Sequence, residues 1–222
     1  MKELFKSWYN VLYKVLISKK FNDLINKYNT IYELSKFKFN NVIIYPNKNK
    51  VFSCFNCDYN KVKIVIIGTN PFDDKSEGLC FDSNDNLTEV SIYASIFHKN
   101  IEKYYGLKVN HDYSLKYLQE QGILLLNNPL INSNKTNDIE EWEWFIKYII
   151  SILNANKTGL IFCIEENDEL LKLINDKNHY IITYKNMNQF LYWKEQQLWD
   201  LNLKQINKIL YEQNGKDNMI KF

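Results

Sequence analysis

Four short runs of β-branched and aliphatic residues, set between stretches of helical periodicity, leave this chain few folds to choose from. They are Lys63 to Ile67, closed by Gly68, then Ile123 to Leu126, Leu160 to Ile164 and Tyr180 to Thr183. Each has the length of a strand and is too short for a buried helix. Their near-continuous apolar character is that of parallel strands covered on both faces. Between them the period changes. Trp8, Val11, Leu12, Val15 and Leu16 share one helical face, and a second helical stretch covers Phe21 to Leu34. Trp142, Phe145, Ile146, Ile149, Ile150 and Leu153 form the clearest amphipathic pattern. Leu170, Leu171 and Ile174 mark a shorter helix, and Trp199, Leu203, Ile206 and Leu210 a C-terminal one. This alternation predicts an α/β fold in three layers, α/β/α, around a central four-stranded, mostly parallel sheet. A single domain over 1–222 is expected, with about 212–222 as a loose tail.

Composition narrows the setting. Hydrophobic residues make up 45% and charged residues 24%, the balance of a globular domain. No apolar run approaches the roughly 18 residues of a membrane span, and polar Lys6, Ser7 and Asn10 break any signal-peptide pattern at the start. An intracellular protein with no membrane partner is the expectation. Cys54, Cys57, Cys80 and Cys163 lack a second pair or a histidine cluster at zinc spacing, so buried free thiols are expected, with no metal and no cofactor. The net charge of +2 decides little, but all 28 basic residues are lysine, and Asn, Ile and Tyr abound, as AT-rich genomes encode. Any phosphate must then be met by lysine, backbone N–H or hydroxyl groups, never by a guanidinium fork.

Ligands of such sheets sit beyond the carboxyl ends of the strands. That directs attention to residues 68–72, 127–130, 165–167 and 184–191. Gly68-Thr-Asn-Pro-Phe72 followed by Gly78-Leu-Cys-Phe81 resembles the GQDPYH and GLCF motifs of the uracil-DNA glycosylases. Gln121 to Asn127 is similar to that family's QGVLLLN, and Trp142-Glu143 with Phe145 to its GWExF helix start. Ile44, Pro46, Val51-Phe52 and Phe55 resemble the segment before the first strand. The gap between the first two motifs matches the shorter poxvirus forms.

The resemblance implies a chemistry and a set of roles. The target base swings out of the duplex into a pocket, and its bond to the sugar breaks with oxocarbenium character. An anionic carboxylate stabilises that charge and orients water, and a histidine receives the departing base. Here Asn70 stands at the aspartate and Asn186 at the histidine. Phe81 falls on the phenylalanine that stacks on uracil, Asn127 on the asparagine that reads its edge, and Phe72 on the tyrosine that bars thymine's methyl. Thr69 joins this uracil-binding set. Ser91, Lys185 and Phe190, the last at the wedging leucine, are the expected DNA contacts. Glu165 and Glu166 occupy the place of a phosphate-binding loop and oppose phosphate by roughly 1 kcal/mol or less each. Taken without the resemblance, Asn70 before Pro71 is a turn former, Phe81 a core aromatic, and His98, His111 and His179 packing or surface residues.

Three functions follow as expectations. The first is a protein that binds DNA, or uracil in DNA, with weak or no base excision. The second is a slow uracil or mismatch glycosylase in which Asn70 positions water; mismatch-specific relatives resemble the Asn70/Asn186 pairing, though they carry glycine where Phe72 stands. The third is a non-catalytic interaction subunit, such as a viral DNA-polymerase processivity component. DNA and a replication or repair protein are the corresponding partners.

Overall fold

The computed structural model describes residues 1–68, 70–71, 74–82, 102, 115–166, 168–184 and 197–221, with 197–202 described by backbone alone. The expected fold is present. Strands β2 (Ile64–Gly68), β3 (Ile123–Asn127), β5 (Ile161–Glu165) and β6 (Tyr180–Tyr184) form a four-stranded sheet in the order β3-β2-β5-β6. Every pairing in it is parallel. All five residues of β2 and of β3 are buried, whereas edge strand β6 alternates towards solvent. A separate antiparallel ribbon pairs β1 (Ile44–Tyr45) with β4 (Asn132–Ser133).

Helices flank the sheet. α1 (Lys2–Phe5), α2 (Tyr9–Leu16) and α3 (Lys19–Ser35) come first, followed by α4 (Lys116–Glu120), α5 (Asp138–Asn156) and α6 (Gln197–Asn214). Helix α3 starts where the Ser18 hydroxyl accepts from the Phe21 N–H at 3.2 Å, a capping bond worth about 1 kcal/mol. Its buried positions, Phe21, Leu24, Tyr28 and Ile31, repeat at helical spacing. In α5, Trp142, Phe145, Ile146, Ile149, Ile150 and Leu153 are all buried, as the periodicity predicts. The two helices meet in an aromatic cluster: Phe21 lies 5.2 Å from Phe145 and Tyr28 lies 5.6 Å from Trp142, centroid to centroid. Trp8 joins it from the N-terminus, its indole N–H donating to the Cys57 carbonyl at 2.7 Å.

Two expectations need correction. Residues Glu169–Leu173 form a 3-10 turn rather than an α-helix, started by the Asp168 carboxylate accepting from the Leu170 N–H and finished before Ile174. The C-terminal segment is not loose. Beyond α6, Lys216–Asn218 form another 3-10 turn, and Ile220 is buried. The Ile220 N–H donates to Asn207 Oδ1, and Lys221 exchanges two hydrogen bonds with the Gln121 amide. The signal for this docking is long-range, between residues about a hundred apart, so local periodicity does not carry it.

All four cysteines are buried and free. His179 is packed too, accepting the Leu160 N–H on Nδ1 beside Phe162. His98 and His111 lie outside the described residues. No helix among the described residues is long and apolar enough to cross a membrane.

Candidate functional site

The carboxyl end of the sheet is assembled around Gly68. In the β2–β3 ladder Gly68 is opposite Asn127, and the Asn128 N–H donates to the Gly68 carbonyl at 3.1 Å. The next described residues are Asn70, half-buried, and Pro71, buried. From the ribbon, the Asn132 amide donates to the Pro71 carbonyl at 2.9 Å, so the turn that carries Asn70 is tied to β4.

The 78–81 segment folds back across this strand end. Gly78 takes φ +76, and a Cβ there would lie 1.8 Å from the Lys50 carbonyl oxygen, so only glycine fits. Cys80 donates to the Ile66 carbonyl at 3.4 Å. Phe81 then adopts φ +63, a left-handed conformation that costs a residue with a Cβ about 1–3 kcal/mol. This conformation lays its ring against the Gly68 backbone: a Cβ on Gly68 would sit 3.0 Å from Phe81 Cζ and 2.5 Å from Cys80 Cβ. Gly68 is therefore required by close approach, not by its torsion angles.

Two groups hold this arrangement from outside. Tyr184, the last residue of β6, meets Phe81 edge to face at 6.2 Å and 76°. Its hydroxyl donates to the Ile67 carbonyl. Because the β2–β5 ladder ends at Ile66–Cys163, the tyrosine from the next strand over reaches the β2 carbonyl beyond it. Burial pushes the phenol well above its usual pKa, so it stays protonated and able to donate. Glu77, with only 5% of its side chain exposed, binds Lys50 at 2.7 Å and Lys116 at 2.6 Å. Burial pushes this carboxyl up, but the hydrogen bonds and charges of the two lysines outweigh it and leave the pKa below 4.5. The clasp pins the 78–81 segment between the 3-10 turn at Lys48–Lys50 and α4.

Asn127 is only 2% exposed, and its amide nitrogen has no hydrogen-bond partner among the described residues. Asn128 Oδ1 next to it is likewise buried and unpartnered. Leaving a buried donor unsatisfied costs about 1–3 kcal/mol, so such a group at a strand end is a feature of binding sites more than of cores. The structure thus brings together three expected site residues: Asn127 across the ladder from Gly68, Phe81 packed against Gly68, and Asn70 on the following turn. Thr69, Phe72, Ser91, Lys185, Asn186 and Phe190 lie outside the described residues. Glu165 is the last residue of β5, half-buried, and Glu166 follows the strand, exposed. Sequence reasoning gave no role to Tyr184, Asn132 or Glu77. Tyr184 heads the 184–191 stretch that its position after a strand marks, but no local signal announces its reach across to β2.

Among the described residues, an open groove of about 430 Å³ lies elsewhere, lined by α3 and α5 residues including Lys20, Lys27 and Trp144. None of the strand-end residues lines it.

No family model matches the chain. It is, however, 32% identical over 163 residues to a uracil-DNA glycosylase of Mycoplasmopsis pulmonis, covering 69% of this chain and 72% of that one. It is 30% identical over 185 residues to a uracil-DNA glycosylase of Campylobacter fetus, covering 80% and 76%. The fold is similar to the crystal structure of mimivirus uracil-DNA glycosylase, with a TM-score of 0.74 at 21% identity over 95% of this chain and 84% of the other. At 30% and 32% identity to these relatives over more than two thirds of its length, the chain belongs to the uracil-DNA glycosylase family.

Proposed function

We propose that this protein recognises uracil in DNA and excises it slowly or not at all. One juxtaposition carries the reading: a buried Asn127 amide with no partner among the described residues, directly across the β2–β3 ladder from the glycine against which Phe81 lies. A ring face and an amide edge are what a flipped pyrimidine requires. Stacking supplies about 1–3 kcal/mol per base, and an amide offers one donor and one acceptor to the uracil O4 and N3–H. Satisfying the orphaned nitrogen on binding returns the cost of burying it.

Asn70 argues for slow chemistry. Its amide can hold a water but brings no negative charge to an oxocarbenium-like sugar. Losing one positioned electrostatic stabiliser lowers a rate by about 10²–10³. Glu166, exposed beyond β5, adds repulsion towards phosphate.

The test pairs binding with chemistry. Isothermal titration with free uracil should give weak binding, near millimolar, that Asn127→Ala abolishes and thymine does not reproduce. Single-turnover excision from single-stranded uracil-DNA should run at least about 100-fold slower than in an ordinary family member. Turnover within about tenfold of such a relative would refute the catalytic half. Absence of uracil binding in the wild type would refute the recognition half.

A further inference from the structure

Immediately after α3 the chain reads Lys36-Phe37-Lys38-Phe39, and both phenylalanines face solvent, Phe37 at 53% and Phe39 at 81% exposure. They are not on a free end. Asn40 donates from its backbone to the Phe37 carbonyl and from its amide to the Leu34 carbonyl, both at 3.0 Å. Asn41, at φ +46, turns the chain back, and the Asn134 side chain then binds both the Asn41 carbonyl and the Ile43 N–H. The two rings are held 5.7 Å apart with planes tilted by 41°, so each offers its own face. Burying neither ring forgoes stabilisation that cores ordinarily take up, which marks the pair as a surface that something else covers.

The charge around the rings says what. Between Glu33 and Asp58 the chain carries four lysines and no acidic residue. Lys36 is paired with Glu33 and Lys50 with Glu77, while Lys38 and Lys48 are exposed and in no ion pair with a described residue. Lys48 stands close enough to Glu33 to help lower its carboxyl pKa, which places it on the same side as Lys36. Lysine interleaved with exposed rings is a poor core for a protein interface, where lysine is depleted. It suits a strand of unstacked bases, each with a π-face and each followed by a phosphate.

We propose that Phe37 and Phe39, with Lys38 and Lys48, form an accessory site for single-stranded nucleic acid outside the nucleobase pocket. Its position favours a continuous path. Asn132, which holds the Asn70–Pro71 turn, pairs with Tyr45, and two residues on Asn134 holds Asn41 and Ile43 at the edge of the aromatic turn. The ribbon thus connects the aromatic turn to the turn that carries Asn70. The site does not depend on the pocket holding uracil.

Fluorescence anisotropy with short labelled oligodeoxycytidylate and oligocytidylate, neither self-pairing at neutral pH and neither carrying uracil, tests this directly. The wild type should bind in a salt-sensitive manner. Phe37→Ala with Phe39→Ala should weaken binding about tenfold or more with the melting temperature unchanged, since both rings are exposed. Lys38→Gln with Lys48→Gln should lower the slope of log affinity against log salt by about 1.4. Preference for one strand identifies DNA or RNA as the natural ligand. Equal binding by the wild type and the phenylalanine variant overturns the proposal, as does no binding at low salt. A wild-type dimer in light scattering that the phenylalanine variant dissolves, with strand binding unaltered, would assign the patch to self-association instead.

Discussion

At the scale of single residues the site carries two costs that a stable core would avoid. Asn127 keeps a buried nitrogen without a partner among the described residues, and Phe81 holds a left-handed backbone. Replacing Asn127 by leucine, of the same branched outline and without a polar group, should therefore raise stability by about 1–3 kcal/mol while abolishing uracil binding. Denaturant melts of wild type and variant check the first half, and titration the second; a variant that is destabilised would mean that the amide is satisfied within the fold. Asn70 leads to an opposite expectation. Asn70→Asp changes charge without changing shape on a half-buried turn, so folding should alter little. Excision should rise by about tenfold or more, towards the 10²–10³ of a positioned stabiliser, and further when Asn186→His is added. No gain in either variant would locate the defect away from these two positions.

At the scale of elements, the 78–81 segment is held from β2, β6, α4 and the Lys48–Lys50 turn, and the Glu77 clasp is its anchor. Because lysine contacts lower the Glu77 pKa below 4.5 in the folded state, their contribution to stability is complete above the unfolded carboxylate range. It disappears as pH falls through the lowered folded value. Glu77→Gln should then cost about 1–3 kcal/mol at neutral pH and progressively less in acid. An acid-independent difference between the two proteins would contradict the clasp. Tyr184 fixes the same segment from the other side: Tyr184→Phe should cost about 0.5–1.5 kcal/mol through the lost bond to Ile67. Tyr184→Ala should cost about 3–5 kcal/mol and weaken uracil binding beyond its effect on folding, because Phe81 loses its edge-to-face neighbour. The strands themselves were legible in the sequence, since β-branched runs closed by Gly68 and Asn127 leave little choice of ladder. Asn127 and Phe81 were legible through their motifs. Tyr184 was not, because its role follows from where the β2–β5 ladder stops, and a register between distant strands leaves no local trace. The 3-10 turn at Glu169–Leu173 was misread for a related reason: three apolar residues cannot distinguish two helical periods.

At the scale of the whole molecule, the chain closes on itself at the end of the sheet opposite the site. Lys63, at the entry of β2, donates to the Asn218 carbonyl at 2.6 Å. Gln121, just before β3, holds Lys221 by two bonds, and Ile220 is buried at 6% exposure. The C-terminal segment therefore clamps the amino ends of the same two strands whose carboxyl ends present Gly68 and Asn127. Removing residues 216–222 would forfeit the burial of one isoleucine, worth about 1.5–3 kcal/mol, and remove several hydrogen bonds of about 1 kcal/mol each. A loss of about 3–5 kcal/mol is expected, a large share of the 5–15 kcal/mol that holds a domain together. The effect on the site should differ in kind. Four buried residues of each strand lie between clamp and pocket, and their ladder remains paired along its whole length. At low temperature, where the truncated protein stays folded, its affinity for uracil should match that of the full chain, while its melting temperature falls sharply. Calorimetric melting and uracil titration on the same preparations separate the two quantities. If affinity falls in step with stability while the protein remains folded, the strands transmit strain from one end to the other, and the C-terminal segment acts on the pocket as well as on the fold.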